Sequence, residues 1–234
     1  RVNENLPTVS QVHLRLAASF AKSRDFKSSL EHLAKIDETK TLKPEQKVEM
    51  VELTAKVAEQ RGRLKLAKRN LRELIDAWQD EPEMLATTYY KLAELNFKTS
   101  DYSKSEDALA EIERMKVAGG KLPGDVWFNT LKLKGSVLEK LGQKVAAVEA
   151  YTTLIDEFSG AKDLGPIRFR AGQLLYDSGN LKAAEKIWNG LSQEKDSMYV
   201  KLANEKLESA KWEDEYKRYI DRIPAATNLN GSKK

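Results

Sequence analysis

The chain has 234 residues, 41% of them apolar and 32% charged, which is too much apolar material for a disordered chain. Its 40 basic and 36 acidic groups leave a net charge of +4, a mild excess that makes no electrostatic case for nucleic acid. Cysteine is absent, which excludes disulfides, thiolate nucleophiles and cysteine metal sites. No run of about 18 apolar residues occurs, so no membrane-spanning helix is expected.

Residues 1–9 read as a short linker containing Pro7. The chain starts at Arg1 with no signal-peptide pattern, and no polar cap precedes the first helical pattern. Further chain before Arg1 is therefore the expectation. From residue 10 to 195 long stretches of Ala, Leu, Glu, Lys and Arg favour helix. One phrase recurs in them, as FAKSRDFKSSLEHL from Phe20, VAEQRGRLKLAKRNL from Val57, NFKTSDYSKSEDAL from Asn96, VLEKLGQKVAAVEAY from Val137 and LLYDSGNLKAAEKIW from Leu174.

In each copy a small residue is followed 12 positions later by a second one: Ala17 and Ser29, Ala55 and Ala67, Ala93 and Ser105, Gly135 and Ala147, Gly172 and Ala184. Four positions further stands a bulky residue, Leu33, Leu71, Leu109, Tyr151 or Trp188, and three beyond that an aliphatic one, Ile36, Leu74, Ile112, Leu154 or Leu191. Copies are offset by 38, 38, 42 and 37 residues, so length varies only between copies. A small residue on each of two helices lets their backbones approach, which predicts the crossing of a helical hairpin. The bulky and aliphatic residues lie at helical spacing and fill the core beside it. Between the two helices sit Arg24-Asp25, Gly62-Arg63, Ser100-Asp101, Gly142-Gln143 and Gly179-Asn180, where glycine or a short polar residue suits a left-handed helix end.

This pattern resembles the tetratricopeptide repeat family at its structural positions. The spacings exceed the family's usual repeat of about 34 residues, an irregularity that resembles tetratricopeptide proteins of the bacterial cell envelope. The fold class implied is all-α, a right-handed α-solenoid of five hairpins over 10–195 and a capping helix pair over 196–224, with a flexible tail at 225–234. Ala203 takes the first small position of that cap, Trp212 is expected to begin its second helix and close the core, Glu213, Asp214, Glu215, Lys217 and Arg218 supply the polar outer face a stack requires, and Pro224 stops the helix.

Catalytic and metal signatures are weak. His13 and His32, 19 residues apart on different helices of the first hairpin, lack the spacing and carboxylate support of a metal pair, and read as ordinary imidazoles. GAKDLG at 160–165 has glycines but no Lys-Ser/Thr after them, and no nucleophile elbow or dinucleotide fingerprint occurs. Paired carboxylates such as Asp80-Glu81 and Glu213-Asp214-Glu215 fall at helix ends or on the cap. The expectation is a non-enzyme that takes no metal and no cofactor.

The run RGRLKLAKRNLR carries Arg61, Arg63, Lys65, Lys68, Arg69 and Arg72 with no acid between them. It admits a remote nucleic-acid reading through residues 61–72. No aromatic residue is interleaved for base stacking, however, so a solvated helix face is the plainer reading. Of the four Trp, Trp188 sits on the bulky core position, whereas Trp78 and Trp127 flank loops between hairpins and are open to either reading.

In the family, the first helices of successive hairpins line a groove where partners bind. The resemblance implies a partner face carrying Tyr90, Glu94 and Phe97 on the third hairpin. Asn129, Lys132 and Ser136 follow on the fourth, and Phe169, Gln173 and Tyr176 on the fifth. Aromatics with amides and a lysine suit an extended peptide or a partner helix, and Phe97 and Phe169 are open to the alternative of turning into the core. Leu14, Ala18, Glu52, Lys56 and Glu59 offer a less coherent surface on the first two hairpins. Leu14 and Ala18 also stand where the Lys and Asn of a chaperone-carboxylate clamp would be expected, which disfavours that ligand. The function expected is a protein-interaction scaffold or adaptor, with a bacterial cell-envelope setting favoured over the cytoplasm. The alternative is a cytoplasmic regulator docking a signalling protein such as a small GTPase.

Overall fold

The computed structural model describes residues 8–36, 42–79, 81–160, 163–193 and 197–222. The regular elements among them are helices: α1 (Val9–Lys22), α2 (Phe26–Leu33), α3 (Pro44–Gln60), α4 (Leu64–Ala77), α5 (Pro82–Lys98), α6 (Tyr102–Val117), α7 (Val126–Lys140), α8 (Lys144–Phe158), α9 (Gly165–Asp177), α10 (Leu181–Asn189) and α11 (Ser197–Arg222), with one 3-10 turn at Gly190–Gln193. This is the tetratricopeptide-like α-solenoid fold class expected from the repeat. The linker at residues 1–7, Asp80, Pro224 and the tail at 225–234 lie outside the described residues. Two compact units are present, Arg1–Ala150 and Tyr151–Lys234.

Chemistry at the helix ends sets the boundaries. Thr8 and Gln11 cap α1 reciprocally: the Thr8 hydroxyl accepts from the Gln11 backbone N–H (3.3 Å) and the Gln11 amide oxygen from the Thr8 N–H (3.0 Å), which satisfies two of the donors a helix start leaves orphaned. Proline opens α3 and α5 at Pro44 and Pro82, where its missing N–H costs nothing.

All five hairpin turns close the same way. Arg24, Gly62, Ser100, Gly142 and Gly179 have φ of 64°, 63°, 61°, 77° and 80°. In each turn the following N–H reaches back to the carbonyl five residues earlier: Asp25 to Phe20, Arg63 to Ala58, Asp101 to Asn96, Gln143 to Leu138 and Asn180 to Leu175, all at 2.9 Å. Together with the bond from the left-handed residue itself, this is the two-bond Schellman closure that satisfies the last carbonyls of the first helix.

The small positions are buried in all five hairpins, with Ala17, Ser29, Ala67, Ala93, Ser105, Ala147 and Ala184 at 0% exposure. Where the second small residue is serine, its hydroxyl donates across the crossing to the backbone of the first: Ser29 Oγ to the Ala17 carbonyl and Ser105 Oγ to the Ala93 carbonyl, each 2.8 Å. A hydroxyl in a dry helix contact needs such a partner, and the carbonyl 12 residues earlier supplies it.

In the first unit the first helices lie side by side, α1 on α3, α3 on α5 and α5 on α7. Each of α2, α4 and α6 packs against its own first helix or the next, or both. One core gathers Leu14, Met50, Val51, Leu71, Trp78, Met84 and Leu95, and another Ala86, Ala93, Leu109, Ile112 and Val137. Two buried lysines tie the second hairpin to the third. Lys47 on α3 pairs with Glu81, and Lys68 on α4 donates to Thr99 Oγ1 and, at 2.5 Å, to Asp101 Oδ2. Unpaired, either ammonium would be costly to bury.

In the second unit Trp188 occupies the bulky position and Gly172 the first small one, as the repeat requires. A methyl group on Gly172 would stand 2.2 Å from Trp188 Nε1. The indole lies directly on the α9 backbone and donates to the Phe169 carbonyl at 3.0 Å. Ala203 takes the expected small position, 2% exposed.

The expected capping helix pair is instead the single 26-residue helix α11. Seven residues after Ala203, where Arg24, Gly62, Ser100, Gly142 and Gly179 stand in the five hairpins, the chain has Ala210, the strongest helix former, and the helix runs on through it. Trp212 does not close the core: it is 65% exposed. Trp78 is buried in the first unit's core, and Trp127 is half-buried with the Lys116 ammonium 5.8 Å over its ring.

Candidate functional site

The expected partner-face residues fall on three first helices. Tyr90, Glu94 and Phe97 are on α5 and Asn129, Lys132 and Ser136 on α7, adjacent helices of the first unit. Phe169, Gln173 and Tyr176 are on α9 of the second unit.

On α5, Tyr90 is half-buried against the core and its hydroxyl donates to Glu94 Oε1 at 3.1 Å. Lys91 holds the other oxygen of Glu94 at 3.0 Å and lies 5.4 Å over the Tyr90 ring. Burial, then the negative charge of Glu94, pushes the Tyr90 phenol well above its ordinary range. The phenol therefore stays a neutral donor. Phe97 is half-buried, packs on the same core and tilts against Tyr102 with centroids 5.5 Å apart. On α7, Lys132 is exposed and Asn129 and Ser136 are half-buried, with the Ser136 hydroxyl donating to the Lys132 carbonyl at 3.2 Å.

One turn along, α3 and α5 enclose an open groove of about 310 Å³ lined by Glu52, Ala55, Lys56, Glu59, Lys91, Glu94, Leu95 and Lys98. Lys98 bridges the two helices to Glu59 at 2.8 Å. Sequence reading rated this stretch the less coherent surface. The α5 lysines that complete it, Lys91 and Lys98, lie about one helical turn to either side of Glu94, and counting outward from Ala93 alone passes over them. The result is a strip of three lysines and three glutamates with two aliphatic residues, Ala55 and Leu95.

In the second unit Phe169 is half-buried. It stacks on Trp188 with centroids 5.9 Å apart and touches Tyr199 at 5.7 Å. Tyr176 also contacts Trp188, and the Lys206 ammonium lies 5.5 Å over its ring. Gln173 donates to Asp177 at 2.5 Å. Tyr176 lines a cleft of about 270 Å³ with Gly179, Leu181, Ala210, Glu213, Asp214 and Lys217.

The basic run does not form a continuous patch. Lys68 is turned inward to Asp101, and Arg69 pairs with Glu73 at 3.4 Å. Arg61, Arg63, Lys65 and Arg72 are exposed. The two histidines do meet: His13 Nδ1 and His32 Nδ1 stand 2.9 Å apart, half-buried, with His32 stacked on Phe20 at 5.3 Å. Their separation of 19 positions gave no sign of this, because the turn folds α2 back along α1. Among the described residues no group of three or more metal-ligating side chains gathers there or elsewhere. No described helix is long and apolar enough to cross a membrane.

No protein-family model matches the chain, and no curated protein matches it in sequence. Solved structures do match in fold. One titled "Crystal structure of MamA protein" superposes with a TM-score of 0.59 at 19% identity, covering 81% of this chain and 93% of that one. MamA from Desulfovibrio magneticus RS-1 gives 0.57 at 11% identity, covering 79% and 94%. PilF of Pseudomonas aeruginosa gives 0.58 at 11% identity, covering 86% and 88%. At these identities the likeness establishes the helical-repeat fold.

Proposed function

We propose that this chain is a non-catalytic protein-interaction scaffold that takes an extended peptide or a partner helix on the first-helix face of α3, α5 and α7. The observation that carries the reading is the side-by-side packing of these helices. The open groove of α3 and α5 presents alternating lysines and glutamates, Tyr90 is bonded to one of them, Glu94, and Asn129 and the exposed Lys132 stand on the neighbouring helix α7. Fixed charges of both signs on rigid helices discriminate between partners by complementarity, and the neutral Tyr90 phenol beside Glu94 adds a rigid amphipathic anchor. Phe169, Gln173 and Tyr176 form a second recognition surface on α9 of the second unit, where Tyr176 lines its own cleft. The irregular repeat offsets of 38, 38, 42 and 37 residues favour the bacterial cell envelope as the setting, a point that fractionation of the native cell decides.

The test is capture from the native cell with three proteins: wild type, Lys56→Glu/Lys132→Glu on the first-helix face, and Lys65→Glu/Lys104→Glu on the second helices. A partner retained by the last and lost by the first-helix variant, at unchanged melting temperature, is the expected result. Loss only in the second-helix variant, or capture of nucleic acid that disappears with salt, would overturn the reading.

A further inference from the structure

Helix α11 carries two apolar stripes that face opposite ways. In its N-terminal half Tyr199, Val200, Ala203 and Leu207 pack on the core of Trp188 and Leu191. From Lys211 to Arg222 every residue is exposed, including Trp212 at 65%, Tyr216 at 52%, Tyr219 at 64% and Ile220 at 44%. At about 100° per residue, Trp212 lies about 180° around the helix from Ala203, with Tyr216 and Tyr219 on either side of it. The aromatic stripe is therefore no continuation of the core. It points away from the side by which the same helix is docked, and the groups continuing the docked side, Asp214, Lys217 and Asp221, are polar. Trp212 and Tyr216 are stacked, with ring centroids 5.4 Å and planes 5° apart. Exposed aromatics gathered on one face mark an interaction surface.

The spacing of four and then three residues, Trp212 to Tyr216 to Tyr219, is that of a coiled-coil seam. Glu215 and Arg222, seven residues apart, share one flank of the seam, and Glu213 and Ile220 share the other. Asp214 and Arg218 are paired with each other at 2.7 Å on the opposite side of the helix. Among the described residues Glu215 and Arg222 pair with nothing. We propose that the seam is a self-association surface on which two copies of this chain pair their α11 helices antiparallel. Setting Tyr216 of one copy beside Tyr219 of the other brings Glu215 of each against Arg222 of its mate, so the two-fold axis generates two ion pairs from one flank. The parallel register instead sets Glu208 against Glu213 of the second copy and gives Arg222 no acid. An anionic lipid surface is a poorer match. Glu208, Glu213, Asp214, Glu215 and Asp221 outnumber Lys211, Lys217, Arg218 and Arg222 by one, whereas interfacial helices are basic on their polar face. With three aromatic residues and one isoleucine per copy the contact is small, and association is weak and concentration-dependent.

Analytical ultracentrifugation of the full chain over a concentration series tests this. The expected result is a mass that rises from that of one chain, 26.5 kDa, towards twice that value, and falls back with added salt. Tyr216→Ser/Tyr219→Ser, on residues that touch no core, should remain monomeric with unchanged helicity. Glu215→Arg should abolish the dimer, and Glu215→Arg/Arg222→Glu should restore it, because the swap regenerates both ion pairs. A wild-type chain that stays monomeric at the highest soluble concentration would overturn the proposal. So would a dimer indifferent to Tyr216→Ser/Tyr219→Ser, or a charge swap that fails to restore what Glu215→Arg removed.

Discussion

Hairpins α5/α6 and α9/α10 solve one packing problem in two ways. In the first, Ala93 and Ser105 meet at the crossing and a hydroxyl-to-carbonyl bond of 2.8 Å seals it, with Leu109 as the neighbouring core residue. In the second, the Ser105 position is Ala184, the Ala93 position is bare glycine, and Trp188 fills the space over it. The repeat thus preserves how closely two backbones approach and leaves open what occupies the gap. The two directions of one Gly/Ala exchange should consequently cost unequal amounts at equivalent sites.

The largest expected effect is Gly172→Ala. Alanine is the better helix former, yet its methyl group would stand 2.2 Å from Trp188 Nε1. Displacing the indole should cost roughly 3 kcal/mol, the upper part of the overpacking range, read as a lower urea midpoint and a red-shifted tryptophan emission. At the matching position Ala93→Gly has no side chain to displace and should cost about 1–2 kcal/mol, through backbone entropy and the loss of one buried methyl group. Equal losses at the two sites would break the comparison.

Ser105→Ala removes one buried hydroxyl but strands no acceptor, since a helical carbonyl still has its own N–H partner. A loss of about 1 kcal/mol or less is expected, and Ser29→Ala should match it because the geometry is the same. Denaturant melts of the two variants check the agreement.

The turns give a smaller effect with the opposite sign. Gly179 is already glycine at φ 80°, whereas Ser100 holds φ 61° with a side chain. Relief of left-handed strain exceeds the added unfolded-state entropy by only about 0.5 kcal/mol. Ser100→Gly and Arg24→Gly should therefore raise the melting temperature slightly, and a fall in either would show that the side chain, not the backbone, holds that turn.

The smallest difference appears in acid. Asp101 and Asn180 follow the left-handed residue in their respective turns. The hydrogen bond from the Lys68 ammonium, and then that from the Thr99 hydroxyl, hold the Asp101 carboxyl below its ordinary value. A group lowered in the folded state contributes stability above the ordinary aspartate pKa of about 3.9 and loses that contribution as pH falls through its folded-state value. Asp101→Asn should therefore flatten the stability profile below about pH 4, while Asn180→Ala leaves its slope alone. An unchanged acid limb in Asp101→Asn would remove the carboxylate from the clamp on Lys68.

Much of this fold was legible in the sequence because its determinants are local. Turn positions such as Arg24 and Ser100, which carry no glycine, could be placed only by alignment with Gly62, Gly142 and Gly179. That alignment gave all five left-handed residues. The long helix α11 was misread because Ala203 sits correctly and Trp212 invites a core role by analogy with Trp188. The missing signal was Ala210, a strong helix former at the place where the other copies carry their left-handed turn residue. Partnerships across hairpins were not legible. Lys68 reads as one of six cations in a basic run, and nothing in its neighbourhood names Asp101, 33 positions away, as the group that draws it inward. For the partner face, the residue choices on α5 and α7 came from counting along single helices. The strip opposite Glu52, Lys56 and Glu59 needed two helices placed side by side.

The constant separation of 12 residues across every turn also limits how such a chain can change length. One residue added to the Gly142-Gln143 turn would advance the phase of α8 by about 100°. Tyr151 would leave the bulky core position to Ala150, and every core-facing residue of α8 would turn with it. The same residue added near the exposed Gly119 or Gly124, between α6 and α7, alters neither hairpin's phase. Growth of the chain is thereby channelled into the segments between hairpins, and the offset of 42 residues between Ala93 and Gly135, the longest of the four, falls there.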